Sequence, residues 1–369
     1  MKKIFLSAQL QAFLANKKLL AGLLGFVIAV SAVSSYFFFN QLKQPVAEAT
    51  VAQADAQLEE LELGEEPEDL SQLNILLLGY GGAGHQGGFL TDAIQILHLD
   101  FDQGKVGLIS IPRDLWVALP NGKQAKINQA LSLADDSSQL VTSGSQVAMQ
   151  MAQVVTGLKL HYFIATDFVG LKRTIGTTLG SITVNVPEAL DDPWYPLEGE
   201  QLNPCEYSAQ EIAELSQQYS GFELEKKFEC RYEHIQFDVG LNKMEGSDAL
   251  AYIRSRHGSA GGDFSRSQRQ HALLKGIKDK LLSLDVLRDI PQFYQAVSSN
   301  ITTDLDLEMV QYLAPALKNA FEYQVKEVVI STENVLENGK SSDGQYIVVP
   351  RAGSNQWGGV QQFVQEELK

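Results

Sequence analysis

The sequence predicts a layered α/β/α domain with a central mixed sheet, preceded by one N-terminal transmembrane helix. Short apolar runs of strand length alternate with longer stretches of helical periodicity along most of the chain, which predicts the α/β domain. Residues 19–39 are apolar and uncharged over a length that crosses a hydrocarbon core, which predicts the helix. The 369 residues are 44% hydrophobic and 20% charged, which excludes a wholly disordered or collagen-like chain.

The apolar segment 19–39 also predicts the topology. Several lysines precede it and only Lys43 follows closely, so the positive-inside rule places residues 1–18 in the cytoplasm. The alternative is a cleaved signal peptide, but the apolar run is longer than a usual signal-peptide core and no Ala-x-Ala site closes it. We therefore expect a single-pass protein of the cell membrane whose main domain is extracytoplasmic.

The acidic segment 40–72 separates the expected helix from the exported domain, residues 73–369. Carboxylates dominate it, and its low hydrophobicity with charge of one sign is typical of a solvated linker. An acidic surface for a partner is the alternative. Formal net charge is −16, from 29 Lys and Arg against 45 Asp and Glu, so we expect no nucleic-acid partner.

The elements of the exported domain follow in order. Strands are predicted at residues 74–79, 92–100, 105–111, 181–187, 325–331 and 346–350, each an apolar run bounded by turn residues. Helices are predicted at residues 126–134, 145–155, 163–176, 246–253, 263–284 and 307–321 and from about Gly359. Asp263 is the expected N-cap of its helix, whose apolar stripe consists of Leu273, Leu274, Ile277 and Leu281.

A polar, aromatic and acidic stretch at about 188–234 interrupts this pattern and is interpreted as an insertion or a long loop. It contains the only two cysteines, Cys205 and Cys230. In an oxidising exterior the two are disulfide candidates, and two unpaired thiols are the alternative.

Arginines and one glutamine gather at the predicted ends of helices and strands and form a candidate anion site. They are Arg113, Arg254, Arg256, Arg266, Arg269 and Gln270. The last three are spaced i, i+3 and i+4, so they project from one face of the first helical turns, where backbone N–H groups also favour a phosphate. Guanidinium forks suit the oxygens of a pyrophosphate. The alternative is that these arginines pair with local acids on the surface.

Three carboxylates, Asp92, Asp114 and Asp263, are candidate ligands of a hard cation such as Mg²⁺. The alternative for Asp92 is a turn-capping role. The glycine-rich loop 79–88 lacks the sequence of a P-loop or a dinucleotide fingerprint, and its His85 either binds a metal or forms hydrogen bonds within the loop. No Gly-x-Ser-x-Gly motif occurs, so we do not predict a nucleophilic triad.

Ordered motifs across about residues 72–285 resemble those of the LytR-CpsA-Psr family. They are Asn74-Ile-Leu-Leu-Leu-Gly79, Leu90-Thr-Asp92, Ile109-Ser-Ile-Pro-Arg113-Asp114, Lys126-Ile-Asn128, Gly246-Ser-Asp-Ala-Leu-Ala-Tyr-Ile-Arg254-Ser-Arg256-His257 and Asp263-Phe-Ser-Arg266-Ser-Gln-Arg269-Gln270. The resemblance implies a membrane-anchored, Mg²⁺-dependent phosphotransferase. Such an enzyme moves a glycopolymer from a polyprenyl-pyrophosphate carrier to a peptidoglycan acceptor, and a pyrophosphatase side activity is compatible with it.

The same resemblance assigns roles to individual residues. Asp92 is expected to bind Mg²⁺, and Asp92, Arg113 and Asp114 are the expected catalytic residues. The expected pyrophosphate ligands are Arg113, Arg254, Arg256, Arg266, Arg269, Gln270, Lys126 and Asn128. The lipid tail is expected in an apolar tunnel between the sheet and the helices.

One position departs from the family pattern, which usually carries an acidic residue just after the first strand. This sequence has Gly79-Tyr80-Gly81 at that position, so a second carboxylate ligand for the metal is missing. His85 or water would then be the second metal ligand. The rival hypothesis follows from this departure: a catalytically weak protein of the envelope that binds polyprenyl phosphate.

Overall fold

A computed structural model describes residues 71–85, 87–133, 139–255, 258, 262–284, 289–320 and 323–369, with the backbone alone at 262, 263, 284 and 317–320. The cytoplasmic segment 1–18, the transmembrane helix expected at 19–39 and all but the end of the linker 40–72 lie outside these residues. Within the described ranges, no helix is long and apolar enough to cross a membrane.

The strands are β1 (Gln72–Tyr80), β2 (Thr91–Asp100), β3 (Lys105–Ser110), β4 (Trp116–Ala118), β5 (Gln124–Lys126), β6 (Tyr162–Asp167), β7 (Ile182–Val186), β8 (Leu190–Pro196), β9 (Tyr232–Phe237), β10 (Gly240–Met244), β11 (Thr302–Thr303), β12 (Gln324–Val329), β13 (Leu336–Lys340) and β14 (Tyr346–Pro350). The α-helices are α1 (Leu140–Thr156), α2 (Phe168–Arg173), α3 (Ala209–Gln218), α4 (Phe222–Glu225), α5 (Gly246–Arg254), α6 (Gly262–Leu284), α7 (Ile290–Ser298), α8 (Leu307–Ala320) and α9 (Gly358–Leu368).

The central sheet has the strand order β11-β6-β1-β2-β3-β12. Strand β1 pairs with β2 in antiparallel and with β6 in parallel orientation, and β3 pairs with β12 in parallel orientation. The sheet is therefore mixed, which confirms the predicted mixed α/β domain.

Alternation along β1 places its side chains in two cores, one on each face of the sheet. Leu76 and Leu78 belong to the larger core with residues of α1 and α9. Leu73 and Ile75 face the other way, towards Leu313 of α8. Helix α6 also lies over this second face, because its apolar stripe and residues of β1, β2 and β3 line a common cavity.

A smaller core joins α5 and α6 to the β7–β10 strand pair, with Tyr252 fully buried at its centre. This core fixes the beginning of α6 next to the end of α5. Arg254 and Arg266 lie on these two helices, so the packing of the small core determines where both side chains are held.

The chain segment 188–234 has regular structure rather than the long loop that was one interpretation of it. Strands β8 and β9 form an antiparallel pair, and α3 and α4 lie between them. Cys205 and Cys230 form a disulfide that closes a loop of 25 residues. A loop of that length lowers the entropy of the unfolded chain by an amount worth about 3 kcal/mol of stability.

Two helix predictions were wrong at their ends. Residues 163–167, expected as the start of a helix, form β6 because they pair with β1 across the sheet. The helix begins only at Phe168, where the Asp167 side chain accepts a hydrogen bond from Gly170 N at 2.6 Å and caps α2. Lys126 belongs to β5, and the residues after it, Ile127–Ser132, form a short 3₁₀ helix.

Candidate functional site

The centre of the candidate site is the Asp92 carboxylate at the beginning of β2. Arg113, which follows β3, places Nη1 2.5 Å from Asp92 Oδ1. Arg266 of α6 donates from Nη2 to the Asp92 backbone carbonyl at 2.5 Å and lies 3.4 Å from Oδ1. Two guanidinium groups from different elements therefore converge on one carboxylate. Arg266 is 7% exposed, so its charge is largely removed from water and depends on this partner.

A second carboxylate, Asp114, supports the first arginine. Its Oδ1 accepts a hydrogen bond from Lys126 Nζ at 2.7 Å, and its Oδ2 lies 3.7 Å from Arg113 Nε. Arg113 Nε and Asn128 Oδ1 are buried with no hydrogen-bond partner among the described residues. The ion pairs therefore bring together five residues of the predicted set, Asp92, Arg113, Asp114, Lys126 and Arg266.

Arg254 lies at the end of α5 on the same side of the domain. Its guanidinium stacks 4.2 Å from the centroid of the Phe168 ring and donates to the Tyr195 hydroxyl at 3.3 Å. Burial raises the pKa of the Tyr195 phenol, against the opposing effect of Arg254, so the phenol stays protonated at neutral pH.

A cleft of about 350 Å³ joins Asp92 and Arg266 to Arg254 and Tyr195. Its lining consists of Asp92, Asp192, Trp194, Tyr195, Pro196, Phe222, Tyr232, Arg254, Ser255 and Arg266. Two arginines and two carboxylates form one part of the lining, and aromatic rings form another. An anion with an attached ring-shaped group matches this division.

Of the predicted site residues that the structure describes, only Asp92, Arg254 and Arg266 line the cleft. Arg113, Asp114, Lys126 and Asn128 lie behind Asp92, and two further residues have other partners. Arg269 donates to the backbone carbonyls of Tyr252 at 2.8 Å and Ser255 at 2.6 Å, and burial lowers the pKa of its guanidinium. Gln270 Oε1 accepts from Gln95 Nε2 at 3.1 Å. Both side chains thus support the neighbouring helix and strand instead of projecting into the cleft.

Other predicted residues lie elsewhere. Arg256 and the Asp263 side chain lie outside the described residues. The His85 ring meets the edge of the Phe168 ring at 5.2 Å, and its Nε2 lies 3.4 Å from Glu198 Oε1. Gly82 N donates to Gly88 O at 2.8 Å and closes the glycine loop. A side chain at Gly82, whose φ is +90°, would approach the Asp167 carboxylate to 2.9 Å.

The structure adds residues that sequence reasoning missed. Asp192 is 1% exposed and accepts hydrogen bonds from Ser255 Oγ at 2.7 Å and from Trp194 N at 2.9 Å. Trp194, Phe222 and Tyr232 come from the segment 188–234. The high content of aromatic and acidic residues in this segment was the sequence signal for a binding role. Only the pairing of β8 with β9 brings these side chains to the cleft.

The donor set fits Mg²⁺ in one binding mode. Among the described residues, no three His, Cys, Asp or Glu side chains form a cluster that could hold a metal ion. Asp92 and Asp192 line the cleft, and Asp92 is the one that lies beside two guanidinium groups, those of Arg113 and Arg266. Mg²⁺ commonly keeps several waters and binds through one or two carboxylates together with substrate phosphates, so Asp92 fits it when phosphate oxygens complete the shell.

The LytR_cpsA_psr family matches residues 35–355. The polyisoprenyl-teichoic acid–peptidoglycan teichoic acid transferase TagU of Enterococcus faecalis is 24% identical over 271 residues, which are 73% of this chain and 73% of that protein. The regulatory protein MsrR of Staphylococcus aureus is 22% identical over 298 residues, 80% of this chain and 75% of that one. The crystal structure of Bacillus subtilis TagV has the same fold, with a TM-score of 0.54 and 21% identity over 81% of this chain and 98% of the crystallised TagV chain.

Proposed function

Because the chain belongs to the LytR-CpsA-Psr family, we propose that it is a membrane-anchored phosphotransferase that moves a glycopolymer from a polyprenyl-pyrophosphate carrier to peptidoglycan. The observation that carries the proposal is the convergence of Arg113 and Arg266 on Asp92, which lines a cleft together with Arg266. Paired guanidinium groups bind the oxygens of a pyrophosphate, and the name of the relative TagU describes a transfer of this type.

A separate apolar cavity supports a lipid-linked substrate. It measures about 290 Å³ and lies between α6 and the sheet. Its apolar lining consists of Leu77, Leu97, Leu99, Val106, Leu108, Ile164, Leu274, Ile277, Leu281 and Val325. Arg266 precedes Ile277 by 11 residues on α6, about 16 Å along a helix. One helix thus offers a cation for the headgroup and an apolar face for the polyprenyl chain.

In the transfer reaction, the oxygen of an acceptor sugar hydroxyl forms a bond to the sugar-linked phosphorus. The bond from that phosphorus to the bridging oxygen breaks, and polyprenyl phosphate leaves with the bonding electron pair. Arg113 and Arg266 hold the pyrophosphate and stabilise the charge that develops on it. A Mg²⁺ ion held by Asp92 and phosphate oxygens would supply further neutralisation of this charge.

The hydroxyl proton passes to Asp92 in this scheme. Asp92 lines the cleft, whereas Asp114 is 9% exposed and is held by Lys126. A loose phosphoryl-transfer transition state needs little help from a strong base. Asp114 then acts by positioning Arg113. Water in place of the sugar hydroxyl would give the pyrophosphatase side activity.

The experiment supplies the full chain in detergent micelles with a polyprenyl-pyrophosphate oligosaccharide, peptidoglycan fragments and Mg²⁺. Mass spectrometry then measures released polyprenyl phosphate and glycan-bearing acceptor. Arg266→Ala should lower the rate at which both products form by about 10²- to 10³-fold. Arg173→Ala, which removes an exposed arginine of α2 that does not line the cleft, should leave both rates unchanged. Native rates in Arg266→Ala contradict the proposal.

A second candidate function is binding of polyprenyl phosphate with little catalysis. The absence of an acidic residue at one position of the family pattern favours it. Gly81 stands where the family pattern has an acidic residue, and His85 faces Phe168 and Glu198. Binding of the intact substrate without release of polyprenyl phosphate would support this candidate over the transferase.

A further inference from the structure

One side of the cleft is an aromatic wall, defined here as Trp194 of β8, Phe222 of α4 and Tyr232 of β9. The Trp194 ring meets the Phe222 ring at 6.2 Å with an angle of 84° and the Tyr232 ring at 5.6 Å with an angle of 80°. All three are partly exposed, line the cleft and belong to no hydrophobic core of the described chain. Burial in a core therefore does not explain these rings.

The aromatic wall is held in place by polar contacts behind it. Tyr232 donates from its hydroxyl to Glu225 Oε2 at 3.1 Å, and the same oxygen accepts from Arg231 Nη1 at 3.1 Å. Lys226 Nζ lies 5.0 Å from the centroid of the Phe222 ring. The Cys205–Cys230 disulfide closes the segment that carries Phe222 and ends next to Arg231. Rings fixed before a ligand arrives lose less entropy when it binds.

The surroundings of the aromatic wall define the chemistry of its ligand. Asp92, Arg254 and Arg266 line the same cleft and suit a phosphate, whereas the rings offer apolar faces. Tyr195 and Asp192 add polar groups beside the rings. A pyranose has an apolar C–H face and a rim of hydroxyls, so it can stack on a ring while its hydroxyls bond to neighbouring polar groups. A lipid chain has no such rim and is already served by the apolar cavity beside α6.

We propose that the aromatic wall is a sugar subsite, in which the pyranose next to the transferred phosphorus stacks on Trp194 between Phe222 and Tyr232. The sugar comes either from the donor glycopolymer or from the peptidoglycan acceptor, which share this chemistry. The proposal rests on the proposed function, because that function places a phosphate-linked sugar beside Arg266. The segment 188–234 thereby determines which glycan the cleft accepts.

The test measures binding of three probes to the full chain in detergent micelles by isothermal titration calorimetry. The donor probe is geranyl-pyrophosphate-linked N-acetylglucosamine, the acceptor probe is a muramidase digest of peptidoglycan, and inorganic pyrophosphate reports on the arginines alone. Trp194→Ala should weaken one sugar probe by about tenfold, the scale of losing one stacked ring, and should leave pyrophosphate unchanged. Trp194→Phe should restore most of the affinity. Tyr312→Ala, which removes a 58% exposed ring of α8, is the matched control.

The probe that is weakened identifies the source of the sugar. Loss confined to the donor probe assigns the wall to the donor, and loss confined to the digest assigns it to the acceptor. Unchanged binding of both probes in Trp194→Ala overturns the sugar subsite, as does equal weakening of pyrophosphate, since that indicates a general disturbance of the cleft. A failure of the transferase proposal gives a different result. The sugar probes then still bind through Trp194, but the transfer assay releases no polyprenyl phosphate.

Discussion

Arg266 donates a hydrogen bond to the backbone carbonyl of Asp92, a residue 174 positions earlier in the chain. Its guanidinium also lies 3.4 Å from the Asp92 carboxylate. Helix α6 is thus tied to the start of β2 at the point where the cleft opens. The proposed pyrophosphate ligand Arg266 therefore also joins two elements of the domain, so its replacement should affect activity and stability together.

Replacement of Arg266 by Ala should lower kcat/KM for transfer by about 10²- to 10³-fold, the scale of losing one preorganised donor to a transition-state anion. The same change leaves the Asp92 carbonyl without this donor and should lower the free energy of unfolding by about 1–3 kcal/mol. Transfer assays and urea unfolding measure the two effects. Arg266→Lys keeps the charge but loses the forked guanidinium, so its kcat/KM should lie between those of the native chain and of Arg266→Ala. Unchanged kcat/KM in Arg266→Ala refutes the assignment.

Mg²⁺ should bind weakly to the free protein and tightly in the presence of inorganic pyrophosphate, because Asp92 supplies one carboxylate and pyrophosphate supplies the remaining charged oxygens. Asp92→Asn should weaken this joint binding by about tenfold or more. Calorimetric titration of Mg²⁺ with and without pyrophosphate measures it, and Asp102→Asn in the exposed turn after β2 is the control. Tight Mg²⁺ binding by Asp92→Asn would mean that the ion binds elsewhere.

Filling the apolar cavity should select against long lipid chains. Ile277 lines the cavity, so Ile277→Trp should raise KM for a long polyprenyl-pyrophosphate substrate and leave KM for a geranyl analogue nearly unchanged. Leu282→Trp alters a 45% exposed position of the same helix that does not line the cavity, and it should affect neither substrate. If the two variants raise KM for the long substrate equally, the lipid does not bind in this cavity.

A series of hydrogen bonds from Ser110 through His271 to Glu327 predicts that stability depends on pH. Ser110 Oγ lies 2.8 Å from His271 Nε2, and His271 Nδ1 lies 3.2 Å from Glu327. Hydrogen bonding to His271, followed by that to Lys275, lowers the pKa of Glu327 from 4.5 to about 2. A folded-state pKa below the unfolded value stabilises the protein above pH 4.5, and this contribution is lost as the pH falls towards about 2.

Thermal unfolding between pH 6 and pH 2 measures this contribution. Glu327→Gln should be less stable than the native chain at pH 6, and the difference in Tm should shrink as the pH falls through that window. A Tm difference that stays constant with pH contradicts the linkage. Glu333→Gln, which removes an exposed carboxylate, should show no such trend.

The predicted strands at residues 74–79, 92–100, 105–111 and 325–331 correspond to β1, β2, β3 and β12 of the central sheet, because apolar runs bounded by turn residues are local signals. The sequence also indicated a candidate anion site from its clustered arginines. It could not separate Arg266 from Arg269, three residues apart on one helix. In the structure, Arg266 reaches Asp92, whereas Arg269 reaches the carbonyls at the end of α5. The different partners of Arg266 and Arg269 depend on how α5 packs against α6, which the spacing of residues along α6 does not reveal.

The aromatic wall shows the other limit. Trp194 and Tyr232 are 38 positions apart, and their contact depends on the register of β8 against β9, in which Tyr195 pairs with Glu233 and Pro196 pairs with Tyr232. The same long-range pairing explains the error at residues 163–167. Their pattern was compatible with a helix, but hydrogen bonding to β1 makes them a strand.

The fate of the sugar-linked phosphorus tests the central claim most directly. The full chain is incubated with donor, peptidoglycan fragments and Mg²⁺ in ¹⁸O-labelled water, and mass spectrometry follows the glycan-linked phosphate. Transfer to a sugar hydroxyl predicts a phosphodiester on the acceptor that contains no ¹⁸O, together with released polyprenyl phosphate. A free glycan phosphate carrying ¹⁸O, with no phosphodiester on the acceptor, would show that water is the acceptor and would contradict the account.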